Sequence, residues 1–372
     1  MINEIYKKKM KNRVFLIANV ALMMFAVSCG QNAQQKKLTE APQQKEVGDP
    51  DVYMVRTQEL GRGFSNLAVL WKNGVEEILS DEEEGHAGAN SVFVSGNDVY
   101  VAGYDSSTGV EWCASVWKNG VVQRLGGNGS EASSVFVSGN DVYVAGRDFI
   151  GLTRIAVLWK NGVAQEISRK GAPYTQDRSA HASSVYVSGN DVYVAVNELN
   201  EDRKYVAKLW KNGEVQNLSD GTNHTYARTV YVSGNDVYVA GYEKKDLWGG
   251  NIAKLWKNGV AQNLTTGSSV GVVNDVYVSD NDVYVVGYVE ENAGGVRIAT
   301  LWKNGVAQNI SDGINYAYAN SVCVFGGDVY VGGLERDEDE KGFPTMWKNG
   351  VALKIKDKLD GSSINSIFAV AK

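Results

Sequence analysis

Histidine, cysteine and proline are scarce in this chain, at three, three and four residues among 372. The histidines His86, His181 and His224 are spread widely, so a zinc site made from them would need unusual convergence. No EF-hand loop, Walker loop or Gly-x-Ser-x-Gly elbow occurs, and nothing calls for a cofactor. No apolar run reaches the roughly 20 residues that a membrane-spanning helix requires. Four prolines against 41 glycines favour tight glycine turns over rigid linkers. With 44% hydrophobic and 22% charged residues, the chain can bury a core.

The net charge is −6. Lys7, Lys8, Lys9, Lys11 and Arg13, opposed only by Glu4, sit in residues 1–28, so removing that segment would leave −10. A chain this acidic repels nucleic acid and anionic membrane, unless the acidity serves only solubility.

After Arg13 an apolar run of 14 residues spans Val14 to Val27, which suits a signal-peptide core. It ends in Ala26-Val27-Ser28-Cys29-Gly30. This segment resembles the lipobox of bacterial lipoproteins, with Ala26 where leucine is commoner. The resemblance implies that 1–28 is a lipoprotein signal peptide and Cys29 the lipid attachment site. An ordinary secretory signal is the alternative, and Met10 is a second candidate start. Residues 29–50 are rich in Gln, Lys and Glu and read as a lipidated flexible tether. The expected location is therefore outside the cytoplasm, anchored to the bacterial outer membrane on its periplasmic or surface side. Contact with membrane would come only through the lipid. Cys113 and Cys323 lie in apolar strand contexts and are expected to be buried, inert thiols.

The strongest signal is internal repetition. Trp-Lys-Asn-Gly begins at Trp71, Trp117, Trp159, Trp210, Trp256, Trp302 and Trp347, at spacings of 46, 42, 51, 46, 46 and 45. Asp-Val-Tyr begins at Asp51, Asp98, Asp141, Asp191, Asp236, Asp282 and Asp328. Each repeat reads as four strands, illustrated by Ser134–Ser138 (a), Asp141–Ala145 (b), Ile155–Trp159 (c) and Val163–Ile167 (d). Gly139-Asn140 is expected to make a type I′ turn between a and b, and Asn161-Gly162 a tight turn between c and d. The fold class is all-β: a seven-bladed β-propeller over residues 51–372, with four antiparallel strands per blade. The chain enters at a b strand and leaves with Asn365–Val370, an a strand. That last strand is expected to complete the first blade and leave no open sheet edge.

The run Ser-Val-Phe-Val-Ser-Gly-Asn-Asp-Val-Tyr-Val-Ala-Gly at 134–146 resembles the hairpin of YVTN-type propeller repeats. The resemblance covers 51–372 and implies that strand a lines a central channel and strand d lies outermost. It implies little about activity, because propellers host many functions.

The a–b and c–d turns share one face and are nearly identical in every repeat. The b–c and d–a loops share the other face and vary, which is where function is expected. Four residues before the first Val or Ile of strand a stand Gly88, Glu131, His181, Tyr226, Val272, Tyr318 and Ser363. Two residues further on stand Asn90, Ser133, Ser183, Arg228, Asn274, Asn320 and Asn365. These should ring the channel mouth, as a polar pocket or as solvated loop ends. Trp112 and Trp248 fall outside the repeat, in b–c loops, as stacking candidates or as loop packing. Glu131, His181, Tyr226, Arg228, Tyr318, Trp112 and Trp248 are the candidate ligand-binding residues.

Ser219-Asp220-Gly221 and Ser311-Asp312-Gly313 lack the spacing and the closing Trp of the sialidase Asp-box. No catalytic residue is assigned. The leading expectation is a monomeric binding scaffold for a protein or a glycan. One alternative is a multivalent lectin with a pocket per blade; another is a polysaccharide hydrolase or lyase whose carboxylates converge in the channel.

Overall fold

A computed structural model describes residues 48–60, 66–80, 86–106, 111–168, 179–245, 250–266, 269–291, 294–355 and 361–372. The proposed signal peptide and most of the tether, with Cys29, lie outside the described residues, as does Trp248. Val47–Lys372 is one compact unit.

Among the described residues, 28 strands form seven four-stranded antiparallel sheets. Blade 3 is typical, with β8 (Glu131–Ser138), β9 (Asp141–Ile150), β10 (Thr153–Lys160) and β11 (Val163–Glu166). Strands a and b both run further toward the variable face than their apolar alternation predicts, so Glu131 belongs to a strand. The innermost strands are β4 (Gly88–Ser95), β8, β12 (Ala180–Ser188), β16 (His224–Ser233), β20 (Val270–Ser279), β24 (Ala317–Phe325) and β28 (Ile364–Val370). They lie side by side in that order, and β28 sits between β24 and β4. In the first blade β28 pairs with β1 (Asp51–Glu59), from Asp51↔Val370 to Arg56↔Ile364. The last strand thus closes the ring, as its sequence implies.

Side-chain chemistry explains the repeated motif. Lys160 Nζ lies 2.7 Å from Asp141 Oδ2 and 5.1 Å from the Tyr143 ring centroid. Asn161 Nδ2 donates to Asp141 Oδ1 at 2.7 Å, and Asn161 Oδ1 accepts the Val142 N–H at 2.8 Å. Lys160 and Asn161 hold the Asp141 carboxyl below the usual carboxylate range. The same Asp–Lys–Asn knot recurs at Asp282, Lys303 and Asn304. Asn161 has φ 51° and Gly162 φ 80°, so both central residues of this turn are left-handed, as type I′ requires.

The a–b turn corrects an expectation. Gly139 has φ 60°, but Asn140 is not among the residues of positive φ. Positive φ at the first central residue alone is the type II′ pattern. The order Gly-Asn, rather than Asn-Gly, decides it. Only where both residues tolerate positive φ, at Asp280-Asn281 (51° and 70°) and Gly326-Gly327 (61° and 86°), does the two-left-handed form occur.

The repeated tryptophan plugs each blade onto the preceding one. Trp159 joins Tyr100, Ala102, Ala114 and Val116 of blade 2, and Trp302 joins Tyr238, Ala240, Ala253 and Leu255 of blade 5. Both are fully buried. Burial of this size dominates the contact between blades. Cys113 and Cys323 are buried and unpaired, and burial pushes both thiols up.

Candidate functional site

Each inner strand carries a one-residue bulge against its neighbour. In blade 3 the register shifts between Ala132 and Ser134, and in blade 5 between Ala227 and Thr229. The extra residues are Asn90, Ser133, Ser183, Arg228, Asn274, Asn320 and Asn365. A bulge re-aims a side chain, and here it accounts for the second column of the sequence alignment.

In four consecutive blades the bulged residue is asparagine, and each one ties to the next blade. Asn274 Nδ2 donates to Ala319 O at 2.9 Å, Asn320 Nδ2 to Ile364 O at 3.0 Å, Asn365 Nδ2 to Ala89 O at 2.8 Å and Asn90 Nδ2 to Ala132 O at 3.0 Å. Blades 3, 4 and 5 have Ser133, Ser183 and Arg228 instead. There the mouth opens into a cavity of ≈ 580 Å³.

Of the sequence candidates, Glu131, His181, Tyr226 and Arg228 line this cavity. Ser133, Ser183, Asn274, Asn320 and Asn365 join them. Trp112 does not: it is 39% exposed and packs on His86 (5.4 Å) and Tyr104 (6.4 Å). Tyr318 sits apart too, against Tyr288 at 5.9 Å and under the Arg297 guanidinium at 5.5 Å.

Three lining residues lie outside the sequence columns: Arg147 from β9, Arg154 from β10, and Tyr205 from β14 (Tyr205–Lys211). Arg147 follows the small residue of strand b. The corresponding positions are Thr57, Tyr104, Asn197, Tyr242, Tyr288 and Leu334, so tabulating strand b as well as strand a would have found it.

Glu131 is fully engaged. Its Oε2 lies 2.8 Å from Arg147 Nη2, and its Oε1 accepts from Asn90 Nδ2 at 3.0 Å. Gly146 permits this wall, because a Cβ there would meet Glu131 O at 2.0 Å. Arg147 keeps a buried Nε with no partner among the described residues. Arg154 lies over the Phe149 ring at 5.8 Å and Arg228 over the Tyr242 ring at 5.5 Å. Both are exposed, and neither pairs with a carboxylate among the described residues.

His181 is held neutral. Burial, then the charges of Arg228, Arg147 and Arg154, lower its pKa to about 4. Asn197 lies beside the imidazole. Asn197 Oδ1 accepts the Ala227 N–H at 2.7 Å while its Nδ2 donates to Ala227 O at 2.8 Å, which fixes the amide. Nδ2 also faces His181 Nε2 at 3.2 Å. The same Nδ2 lies closer to Ser183 Oγ, at 2.8 Å, so its two hydrogens go to that hydroxyl and to Ala227 O.

An aromatic wall stands beside these charges. Tyr205 packs on Tyr226 at 5.2 Å and on the edge of His181 at 5.9 Å, and Tyr226 stacks on Tyr242 at 5.0 Å. Burial, then Tyr242 and Tyr205, push the Tyr226 phenol up to about 12, so it stays protonated and can donate.

Deeper in the channel, one ring of hydroxyls binds blade to blade. Val185 N donates to Ser134 Oγ (3.2 Å), Val230 N to Ser184 Oγ (3.2 Å), Ile367 N to Ser321 Oγ (3.2 Å) and Val92 N to Ser366 Oγ (3.2 Å). Asp275 takes this place in blade 6. Below it an aromatic collar runs from Phe368 through Phe93, Phe136, Tyr186 and Tyr231 to Tyr277, with neighbouring centroids 4.7–5.0 Å apart. Cys323 holds the seventh place.

Among the described residues no three His, Cys, Asp or Glu side chains converge as a metal site would require. No helix of the described residues is long and apolar enough to cross a membrane.

No known protein family and no curated protein sequence matches the chain. Solved structures do. The β-propeller domain of the Trilobed protease from Pyrococcus furiosus is 13% identical, with a TM-score of 0.50 over 83% of this chain and 97% of that one. A puromycin-hydrolyzing peptidase from Mycobacterium tuberculosis is 12% identical, with a TM-score of 0.52 over 84% of this chain and 53% of that one. The acylaminoacyl peptidase of Pyrococcus horikoshii is 14% identical, with a TM-score of 0.52 over 83% of this chain and 52% of that one. The chain spans about half the length of the two peptidases. At these identities the likeness is one of fold. The Pyrococcus furiosus domain is described as having an open velcro topology, whereas here β28 closes the first blade.

Proposed function

We propose that this propeller is an exported binding scaffold, lipid-anchored through Cys29 on the bacterial outer membrane, that captures a protein or glycan at its channel mouth. The observation that carries this reading is where the sevenfold pattern breaks. On the constant face the Asp, Lys and Asn of each turn satisfy one another. At the mouth, blades 3 to 5 carry Ser133, Ser183 and Arg228 in place of the bulge asparagines, beside a cavity whose Arg154 and Arg228 have no carboxylate partner among the described residues.

The same contrast weighs against a lectin with one pocket per blade, because the repeated tryptophans are packed between blades and the repeated polar groups hold the turns. A glycoside hydrolase working with two carboxylates has little support, since Glu131 is the one carboxylate lining the cavity and both its oxygens are engaged.

The reading is tested by screening the chain on glycan and peptide arrays beside Tyr226→Ala and Trp112→Ala variants. Saturation at one site per chain, lost in Tyr226→Ala and kept in Trp112→Ala, supports it. Seven sites per chain would support the lectin, and turnover of a bound polysaccharide would support the enzyme. Membrane release by Cys29→Ser tests the anchor; continued association would refute it.

A further inference from the structure

The protein is acidic overall, yet its channel-mouth cavity is lined by three guanidiniums and one carboxylate. That carboxylate, Glu131, already serves Arg147, so the remaining positive charge is uncompensated. All three arginines line the same cavity as His181. Being neutral, His181 adds no charge of its own.

Exposed arginines can be left to water. These are not scattered, however: they share one cavity with aromatic side chains, amides and hydroxyls. Guanidinium forks match planar carboxylates in two-point contacts. Tyr205 and Tyr226 place aromatic surface on the cavity lining, which suits the apolar C–H face of a sugar. Ser133, Ser183 and Asn365 offer partners for ring hydroxyls. The volume of ≈ 580 Å³ lies within the range of about 300–1,000 Å³ usual for small-molecule sites.

We infer that the channel mouth seats one hexuronate unit of an acidic saccharide, with its carboxylate held by Arg154 and Arg228 and its ring laid against Tyr205 and Tyr226. This assignment rests on the mouth being the ligand site and names the ligand's chemistry.

The test is calorimetric titration of the full chain with galacturonate, glucuronate and digalacturonate, against galactose, glucose and glucose 6-phosphate. Arg154→Gln and Arg228→Gln are measured alongside. Both side chains are exposed, so the variants should melt as the parent does. The expected result is one site per chain, at least tenfold tighter for a uronate than for the matching neutral sugar. Each variant should lose tenfold or more, and raising salt from 50 to 500 mM should weaken binding. Neutral sugars binding as tightly as uronates, or glucose 6-phosphate binding more tightly, would overturn the inference. So would failure of all three uronates. If an array ligand of another kind still binds and is lost in Tyr226→Ala, the mouth remains the site and only the uronate assignment falls. If Tyr226→Ala alters no binding at all, both readings fall.

Discussion

Asp275 accepts the backbone N–H of Val322 in the next blade at 3.0 Å, a task that serine hydroxyls perform between other blades. Its other contacts are Ser321 Oγ at 2.9 Å, Val276 N at 2.9 Å and Thr229 Oγ1 at 3.1 Å, with the Cys323 thiol close enough to feel its charge. Burial outweighs these four donors and raises its pKa to about 6. The folded state therefore binds more protons than the unfolded state between about pH 4 and 6, and this group's stabilising contribution fades as pH rises through that window. Asp275→Ser would restore the ring's common residue and remove the slope. Relative to the parent, the variant should gain about 2–3 kcal/mol between pH 4 and pH 7. Urea melts at both pH values measure it; a constant difference would refute the burial account.

The Asp–Lys–Asn knot makes a local prediction. Asn161→Ala loses the hydrogen bonds to Val142 N and Asp141 Oδ1 and places alanine at φ 51°. The expected cost is about 2–4 kcal/mol. Asn161→Gly keeps the backbone geometry accessible and should recover part of that loss. Equal melting of the two variants would show that hydrogen bonding alone matters at this turn.

Closure is testable by truncation. Removing Ile364–Lys372 strips β1 of its inner partner, takes the Asn365 tie from Ala89 O and takes the Ser366 hydroxyl from Val92 N. The melting temperature should fall on the order of 10 °C or more, because several kcal/mol of pairing and burial go together. An unchanged melt would mean that the ring does not depend on its last strand.

The blade count, the strand order and the closing strand were all legible from Trp-Lys-Asn-Gly and Asp-Val-Tyr, because each motif is a local device repeated in register. The a–b turn departs from type I′ because residue order selects the turn: Gly139 alone is left-handed in Gly-Asn, whereas Asn161 and Gly162 both are in Asn-Gly. Nine of the twelve residues that line the mouth stand in the two strand-a columns, with Glu131, His181 and Tyr226 in one and Arg228 in the other, because strand a repeats so regularly. Arg147, Arg154 and Tyr205 were missed because they reach the cavity from strands b and c of two blades, where loop lengths vary. Trp112 stood out by composition alone, and its partners His86 and Tyr104 draw it away from the mouth.

His181 supplies the opposite pH slope to Asp275. Its pKa falls to about 4 in the folded chain, through burial and then Arg228, Arg147 and Arg154. Between about pH 6.5 and 4 the unfolded chain takes up a proton that the folded chain refuses, so stability falls as the medium is acidified. A shift of this size corresponds to about 3 kcal/mol at most. His181→Gln should lose that slope while leaving the Asp275 slope in place, and so become relatively more stable than the parent at pH 4 than at pH 7. In the parent the two slopes oppose one another between about pH 4 and 6, so its melts should vary little there. Only the single variants separate the two contributions, one steepening the profile in each direction. Parallel profiles for the parent and His181→Gln would mean that the imidazole titrates in the folded chain as it does in the unfolded one, and that the three arginines do not act on it together.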